Sequence, residues 1–286
     1  MLAGVDLDVV SIASPPFDHK GSVSIALEHG KHVLCEKPFG LNVADCEQMV
    51  GAARRAGTVC AIAHEFRYTP ARIAMKELIE NKHLGELREI ESSILSGNLR
   101  AESERANSWW FERRRGGGIS GAILSHMIDQ TTWLAGRIPI RVAGFERTAN
   151  SIRKHRGTTF TTDVADGAFV LLDYGHGLIG RALADGTRAV ESATLAVHGE
   201  KRAAAASGPN VIEATMFAID AEETAELQLK EARHAKLASL HPNVPPFVSL
   251  LDQFADAIDG KAAELPTFED GLATQRVLEA IGYSTT

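Results

Sequence analysis

Residues 8–63 read DVVSIASPPFDHKGSVSIALEHGKHVLCEKPFGLNVADCEQMVGAARRAGTVCAIA, and this stretch decides the fold. Three short apolar runs within it, at 8–14, 32–35 and 58–63, are typical of parallel strands that are buried on both faces. Helical segments separate these runs, with Gly30 and Gly57 as stop residues and with Asn42 and Asp45 as a capping box. The order β-α-β-α-β with short loops predicts a parallel sheet with right-handed crossovers.

Such a sheet is half of the arrangement that binds a dinucleotide, in which a glycine-rich turn after the first strand of the other half holds the pyrophosphate. Only about seven residues precede Asp8, so we expect that the sequence is truncated at its amino terminus. GxGxxG occurs at 116–121 and at 175–180, but neither match has both a strand before it and a helix after it. We reject both matches, and the second is predicted to be a hairpin turn.

The remainder predicts a second domain, with residues 1–66 in the first unit and residues 67–286 in the second. Thr69-Pro70 begins a helix that runs to about Asn81. Strand-like runs at 87–96 and between 138 and 198 alternate with glycine turns and predict an open, mostly antiparallel sheet. Residues 203–209, AAAASGP, are expected to be a low-complexity connector, and two helices follow near the end, the last one capped by Thr267 and Asp270.

Composition excludes several functional classes. With 30 Lys and Arg against 37 Asp and Glu, the formal charge of −7 argues against a nucleic-acid surface. No apolar run approaches the roughly 20 residues that span a bilayer, and the first residues lack the basic start of a secretion signal. Cys35, Cys46 and Cys60 form no CxxC pair and are expected to be free thiols in a reducing cytoplasm. The eleven histidines show no zinc spacing, so no metal is expected.

Two residues are candidates for chemistry. Lys37 lies just past the carboxyl end of a predicted parallel strand, where ligands of open α/β sheets bind, and Pro38 stiffens the backbone beside it. His126 lies on a helical stretch from about Gly121 to Leu134. Taken singly, composition favours a solvated surface lysine and a packed histidine. The basic run at 113–115 could bind an anion, but a solvated loop is the simpler interpretation.

The combination of motifs resembles the Gfo/Idh/MocA family of NAD(P)-dependent oxidoreductases. The resemblance rests on SPPFDH at 14–19, GKHVLCEKP at 30–38, and the GGG at 116–118 with His126 and Asp129 downstream. FRYTP at 66–70 looks like the family's link between domains. The resemblance implies a partial Rossmann domain followed by an α+β domain with an open sheet. It also implies NAD or NADP as cofactor, and a sugar, cyclitol or related polyol as substrate in the cytoplasm.

Site residues follow from the resemblance by position. It implies that Lys37 contacts the substrate hydroxyl and the nicotinamide ribose, that His126 transfers the proton, and that Asp129 is the last acid of the helix motif. Hydride transfer would then be the chemistry of the cofactor, with the histidine as base and the lysine stabilising negative charge on the substrate oxygen. The residues expected at the cofactor are Ser14, Pro15, His19, Glu36, Lys37 and Arg67.

Two departures from the family pattern keep alternatives open. Many members carry an acid four residues before the histidine, where this chain has Ala122, so Asp129 either orients the imidazole instead or acts elsewhere, by capping or by pairing. Together with the expected truncation, this allows a cofactor-free module for ligand binding or assembly. A glycosidase that uses tightly held NAD lies within the family's range, although nothing in the sequence favours it. The open sheet is expected to join copies of the chain into a homo-oligomer.

Overall fold

The computed structural model describes residue 4 and residues 6–283. Its amino-terminal unit alternates strands and helices as predicted, and β1, β2 and β3 pair in parallel in the order β1-β2-β3. Gly57 has the left-handed backbone that ends the second helix, and the Asn42 side chain accepts a hydrogen bond from Asp45 N at 2.8 Å. The elements are β1 (Val9–Ile12), α1 (Pro16–Glu28), β2 (His32–Cys35), α2 (Val43–Ala56) and β3 (Cys60–Ile62).

The second unit is built on a mixed sheet of eight strands. A 3₁₀ turn (Glu65–Tyr68) and α3 (Pro70–Glu80) lead into it, and α4 (Ser125–Ala135) packs against it. Along the sheet the order is β13-β12-β11-β10-β4-β9-β8-β5, and every pair is antiparallel except β4 with β9. The strands are β4 (Leu87–Leu95), β5 (Arg141–Arg147), β8 (Gly167–Asp173), β9 (Ile179–Asp185), β10 (Ser192–Gly199), β11 (Ala203–Gly208), β12 (Thr215–Ile219) and β13 (Thr224–Leu227), with β6 (Ile152–His155) and β7 (Thr158–Thr161) forming a separate hairpin.

The α/β architecture with a largely antiparallel second sheet is therefore confirmed, and one local prediction is wrong. Residues 203–208 are a strand that pairs with β10 and β12, where the sequence predicts a connector. Ala204 and Ala206 are buried in the core of the second unit, so tertiary packing outweighs the weak strand preference of alanine. Gly175 and Gly177 lie in the turn between antiparallel β8 and β9, as predicted, and Gly180 lies within β9.

Two final helices return to the first unit. They are α5 (Val244–Ile258) and α6 (Phe268–Tyr283), and Thr267 caps α6 through a 3.2 Å hydrogen bond from Asp270 N. The side chains of Leu250 and Phe254 pack against Leu34, and Pro266 O accepts a hydrogen bond from Ile62 N at 2.8 Å. The boundary after residue 66 therefore remains a prediction. It divides the chain by order along the sequence, whereas the core of the first unit also contains residues of α5 and α6.

Within the described part of the chain, no helix combines the length and the apolar character needed to cross a membrane. Cys35 and Cys46 are buried and Cys60 is half-buried, all three as free thiols. Burial raises the pKa of each thiol, so these cysteines behave as small apolar side chains of the first unit.

Candidate functional site

The three parallel strands end along one edge of their sheet, and each is followed by polar residues. Ser14 follows β1, Glu36 and Lys37 follow β2, and His64 follows β3. The carboxyl edge of an open parallel sheet is the place where such folds bind ligands. The common direction of the three strands therefore brings these polar residues to one edge of the sheet.

Lys37 reaches from this edge to the second unit. Its Nζ donates a hydrogen bond to the carbonyl oxygen of Ala122 at 2.9 Å, and the Lys37–Pro38 peptide bond is cis. Its backbone N–H donates to Glu36 Oε2 at 3.2 Å. Burial raises the pKa of Glu65, and the ammonium of Lys37 opposes that rise, which places a second acid in the electrostatic field of the lysine.

The helix that carries His126 begins with a π-helical turn over 120–124. Such turns are rare and often occur at functional sites. Ser125 donates a hydrogen bond from Oγ to Gly121 O at 2.6 Å, and the Ala122 carbonyl contacts the lysine one turn before the histidine. Lys37 thus contacts the turn that precedes His126, although 89 positions separate the two residues in the sequence (126 minus 37).

His126 is held by packing. Its ring stacks on Phe66 with centroids 4.0 Å apart and planes at 17°, and only 2% of the residue is exposed. The buried Nδ1 has no hydrogen-bond partner. Burial lowers the pKa of His126 well below its ordinary value, and the charges of Lys37, His64 and Arg72 lower it further. The imidazole is therefore neutral at pH 7 and able to accept a proton.

Asp129 pairs away from His126. Arg67 donates hydrogen bonds to both carboxylate oxygens, from Nε to Oδ2 at 2.8 Å and from Nη2 to Oδ1. His64 Nδ1 lies 2.9 Å from Oδ1. Burial alone would raise the pKa of Asp129, but Arg67 and His64 outweigh burial and hold that pKa well below its usual range. Of the two roles left open for Asp129, the described contacts support pairing elsewhere.

The side chains of Arg67 and His19 also make their hydrogen bonds within the protein. Arg67 is 5% exposed and bound to Asp129, so we assign it to support of the site in place of the direct cofactor contact expected from the resemblance. The fully buried His19 places Nε2 2.8 Å from Ser14 O and Nδ1 3.1 Å from Phe39 O. It ties the loop after β1 to the turn after Lys37, which again differs from direct contact with a ligand.

Arg72 lies behind Phe66. Its guanidinium carbon is 5.6 Å from the centroid of the Phe66 ring, and it donates to Gln130, to Thr69 Oγ1 at 3.2 Å and to Val211 O at 3.2 Å. Complete burial lowers the pKa of Arg72 to about 9. This arrangement keeps a cation close to the imidazole without exposing it to a ligand.

The residues at the sheet edge fit the nicotinamide end of a dinucleotide. Ser14 Oγ and His126 Nδ1 are buried without a hydrogen-bond partner, and buried polar atoms normally have one. Pro15 stands immediately before α1 and beside Ser14, so the loop that would cover the nicotinamide ring is short and stiff. Ser14, Pro15, Glu36 and Lys37 are the residues that could contact the cofactor.

The sequence gives no indication that His64 and Phe66 adjoin the candidate site residues, which they contact in the structure. The position of His64 just after the third parallel strand, where the same argument that selects Lys37 applies, predicts its place at the sheet edge but not these contacts. The role of Phe66 has no sequence signal, because its stacking on His126 depends on two elements meeting in space. The basic run at 113–115 is a 3₁₀ turn whose arginines pair with Glu112 and Glu146.

Comparison with known proteins agrees with this geometry. The family model described as "Oxidoreductase family, NAD-binding Rossmann fold" matches residues 1–64. The model described as "Oxidoreductase family, C-terminal alpha/beta domain" matches residues 76–285. The levoglucosan dehydrogenase solved in complex with NADH and levoglucosan has the same fold, with a TM-score of 0.85 and 22% identity over 99% of this chain and 79% of that one.

Curated relatives are aligned over part of their length. An uncharacterized oxidoreductase of Synechocystis sp. is 39% identical over 136 residues, which is 48% of this chain and 36% of the relative. Levoglucosan dehydrogenase of Pseudarthrobacter phenanthrenivorans is 27% identical over 190 residues, 61% of this chain and 48% of the relative. The chain thus spans about a third to a half of the length of these relatives. The two family matches together cover most of the sequence, and the chain belongs to the Gfo/Idh/MocA family of oxidoreductases.

Proposed function

We propose that this protein is an NAD(P)-dependent oxidoreductase that interconverts a hydroxyl and a carbonyl group on a sugar, a cyclitol or a related polyol. The observation that carries the proposal is the meeting of Lys37 with the first turns of the His126 helix at the carboxyl edge of a parallel sheet. The levoglucosan dehydrogenase solved with NADH supports the choice of cofactor, and it supports the substrate class together with the curated levoglucosan dehydrogenase.

When bound, the nicotinamide ring supplies the hydride acceptor or donor. The chain's own residues handle the oxygen and its proton. His126 is neutral and buried, so it can take the proton of a substrate hydroxyl during oxidation. The Lys37 ammonium exchanges its hydrogen bond with Ala122 O for one with the same substrate oxygen and stabilises the negative charge that develops there. Phe66 fixes the plane of the imidazole.

The proposal is tested first by cofactor binding. NADH and NADPH are titrated into the protein while their fluorescence is followed, and we expect saturable binding of at least one of them. Turnover is then screened with polyols and cyclitols in the presence of the oxidised cofactor. Failure to bind either nucleotide would contradict the proposal and favour a cofactor-free binding or assembly module.

The variant Lys37→Met tests the site itself. Loss of one electrostatic contact to the reacting oxygen should lower kcat by about 10²- to 10³-fold. The matched control is Lys230→Met, since Lys230 is an exposed lysine that pairs with Glu77 on the surface. Equal kcat values for the two variants would show that Lys37 has no part in the reaction.

A further inference from the structure

Residues 14–17, which form the loop that would cover the nicotinamide ring and the start of α1, are held on their inner side by the first unit. His19 Nε2 lies 2.8 Å from Ser14 O, and the Asp18 N–H donates to Pro15 O at 2.9 Å. Pro15 and Pro16 have no backbone N–H, so they cannot donate a hydrogen bond to anything on the outer side. Support on that side therefore depends on side-chain contacts.

The second unit covers residues 14–17 with two consecutive residues. The guanidinium carbon of Arg115 lies 4.2 Å from the centroid of the Phe17 ring, within the range in which a cation is attracted to an aromatic face. Gly116 has a left-handed φ of +80°, and a Cβ atom there would stand only 2.8 Å from Pro16 Cβ. The first turn of α1 is thus packed directly against the segment that contains the three glycines.

Arg115 differs from its neighbour Arg114 in the basic run. The Arg114 side chain is 83% exposed and pairs with Glu112 at 2.9 Å. The Arg115 side chain is 39% exposed and also pairs with Glu112, at 3.3 Å, but it makes the additional contact with the half-buried Phe17 ring. Because both arginines share the same acid, the ion pair does not account for the position of Arg115 over the ring. The aromatic contact is the feature that sets Arg115 apart.

The segment that begins at Arg115 continues to the acceptor of the lysine. A Cβ atom at Gly121 would stand 2.9 Å from Pro38 Cγ, and Ala122 O accepts the hydrogen bond from Lys37 Nζ at 2.9 Å. Residues 115–122 therefore contact two loops at the carboxyl edge of the parallel sheet. One is the loop after β1, which would cover the ring, and the other is the loop after β2, which carries Lys37.

The strength of the contact suits a role in positioning. A cation over an aromatic face at a partly exposed position gives a modest attraction, which is small beside the stability of a whole domain. Loss of the contact between Arg115 and Phe17 is therefore expected to leave the fold intact. It is expected to change how closely residues 14–17 are held to the second unit.

We propose that Arg115 is a positioning residue for the cofactor, because by holding Phe17 it keeps Ser14 and Pro15 in the place that receives the nicotinamide ring. This inference rests on the proposed function. The second unit then contributes to the affinity for the cofactor through a side chain that acts on the loop and not on the cofactor itself. Loss of the contact should raise the dissociation constant and the KM for the nicotinamide nucleotide while kcat changes little.

The first test needs neither cofactor nor substrate. Amide hydrogen exchange is measured by mass spectrometry in a peptide that covers residues 14–20. In Arg115→Met, which keeps an unbranched apolar side chain but removes the charge, exchange in this peptide should be about three- to tenfold faster. Arg114→Met is the matched control, since it also removes a pair with Glu112 and should leave the exchange unchanged. Equal exchange in the two variants would overturn the proposal.

The second test measures binding of NADH and of reduced nicotinamide mononucleotide by fluorescence. Arg115→Met and Phe17→Leu should each raise the dissociation constant of both probes by about three- to tenfold, and the double variant should lose no more than either single variant. Arg115→Lys keeps a cation near the ring and should bind more tightly than Arg115→Met. Additive losses in the double variant, or equal binding by the lysine and methionine variants, would overturn the proposal.

The outcomes separate this proposal from the proposed function. If the unmodified protein binds NADH and Arg115→Met binds it equally well, the positioning role of Arg115 is wrong while the oxidoreductase stands. A lower kcat with an unchanged KM for the nucleotide would also contradict the role. If the unmodified protein binds neither probe, the proposed function fails and the positioning role fails with it, whereas the exchange experiment still decides whether Arg115 holds residues 14–17.

Discussion

Asp129 shows how one residue can support a site from behind. Its carboxylate is 2% exposed and contacts Arg67 and His64, both from the segment that follows β3. The ion pair joins α4 to the 3₁₀ turn that connects the two units. Through its contacts with His64 and Arg67, Asp129 holds the segment that contains Phe66 in place against His126.

The variant Asp129→Asn should lower the free energy of unfolding by about 3–5 kcal/mol at pH 7, because it leaves the buried Arg67 with only the longer 3.4 Å contact to Asp270 as an ion pair. Burial opposes ionisation, but Arg67 and His64 depress the pKa of Asp129 in the folded protein. Its contribution is thus complete above the unfolded pKa of about 3.9 and is lost as the pH falls further. Urea denaturation at several pH values checks this, with Glu47→Gln as control, since the exposed Glu47–Arg276 pair should contribute under about 1 kcal/mol. A difference that stays constant down to pH 3 would contradict the assignment.

His126 makes a separate prediction about pH. Its pKa is lowered, chiefly by burial, so the neutral base persists to a lower pH than for a free histidine. The acid limb of kcat/KM for oxidation should lie below the ordinary histidine pKa of about 6.5. In His126→Asn that limb should disappear and kcat should fall by about 10²- to 10⁴-fold. An unchanged limb in the variant would assign it to another group.

At the scale of elements, the π turn brings the two units into contact. Gly121 lies in this turn, and a Cβ atom there would stand 2.9 Å from Pro38 Cγ and 3.4 Å from Gly116 O. Only a glycine allows the turn after Lys37 to pack so closely on α4. The close approach also sets the distance over which Lys37 reaches the Ala122 carbonyl.

Gly121→Ala should therefore destabilise the protein by about 1–3 kcal/mol through overpacking and should weaken nucleotide binding. Gly21→Ala is the matched control, because Gly21 is exposed within α1 and a Cβ there meets no atom within 4 Å. The control should gain about 0.5–1 kcal/mol. Denaturation curves and NADH titrations of both variants measure these effects, and equal behaviour would refute the role of the contact.

Much of the fold is predictable from these elements because its signals are local. The apolar strands, the Asn42 cap and the Gly57 stop each depend on neighbours within a few residues. Residues 203–208 were missed because alanine carries little strand preference, and only packing between β10 and β12 decides their state.

The same distinction between local signals and long-range contacts applies to the candidate site. Lys37 and His126 are recognisable from motifs and from their position after a strand or on a glycine-led helix. The contact of His64 with Asp129 spans 65 positions (129 minus 64), and the stack of Phe66 on His126 depends on two units meeting. No local pattern encodes such pairings, so the residues that support the site can be identified only from the three-dimensional structure.

For the whole molecule, the eight-stranded sheet carries an exposed apolar patch among the described residues. Phe145 and Leu171 are each 52% exposed there, beside a groove of about 550 Å³. Arg181 on this face is paired with Glu89 and Glu91 of its own chain. Covering the face would therefore bury few uncompensated charges, and a second copy of the chain is the occupant that the sequence predicts.

We predict that the protein sediments as a homo-oligomer and that Leu171→Lys shifts it toward the monomer. A charge placed in the apolar part of the face should weaken self-association by at least about tenfold. Ile25→Lys is the control, because Ile25 is also 52% exposed but lies on α1. Analytical ultracentrifugation over a range of concentrations measures the effect, and a wild-type monomer throughout would contradict the prediction.

The return of the chain to β3 has a consequence for biosynthesis. Ile62 and Ala61 pair with Pro266 and Thr267, which the ribosome adds about 200 residues later. At about 5–20 residues per second, roughly 10–40 s pass between translation of the strand and arrival of its partner. During this interval the nascent chain carries an open sheet edge that invites wrong pairing. The parallel sheet is thus completed only after the whole second unit has been translated, and its yield in the cell should depend on chaperones that shield the growing polypeptide.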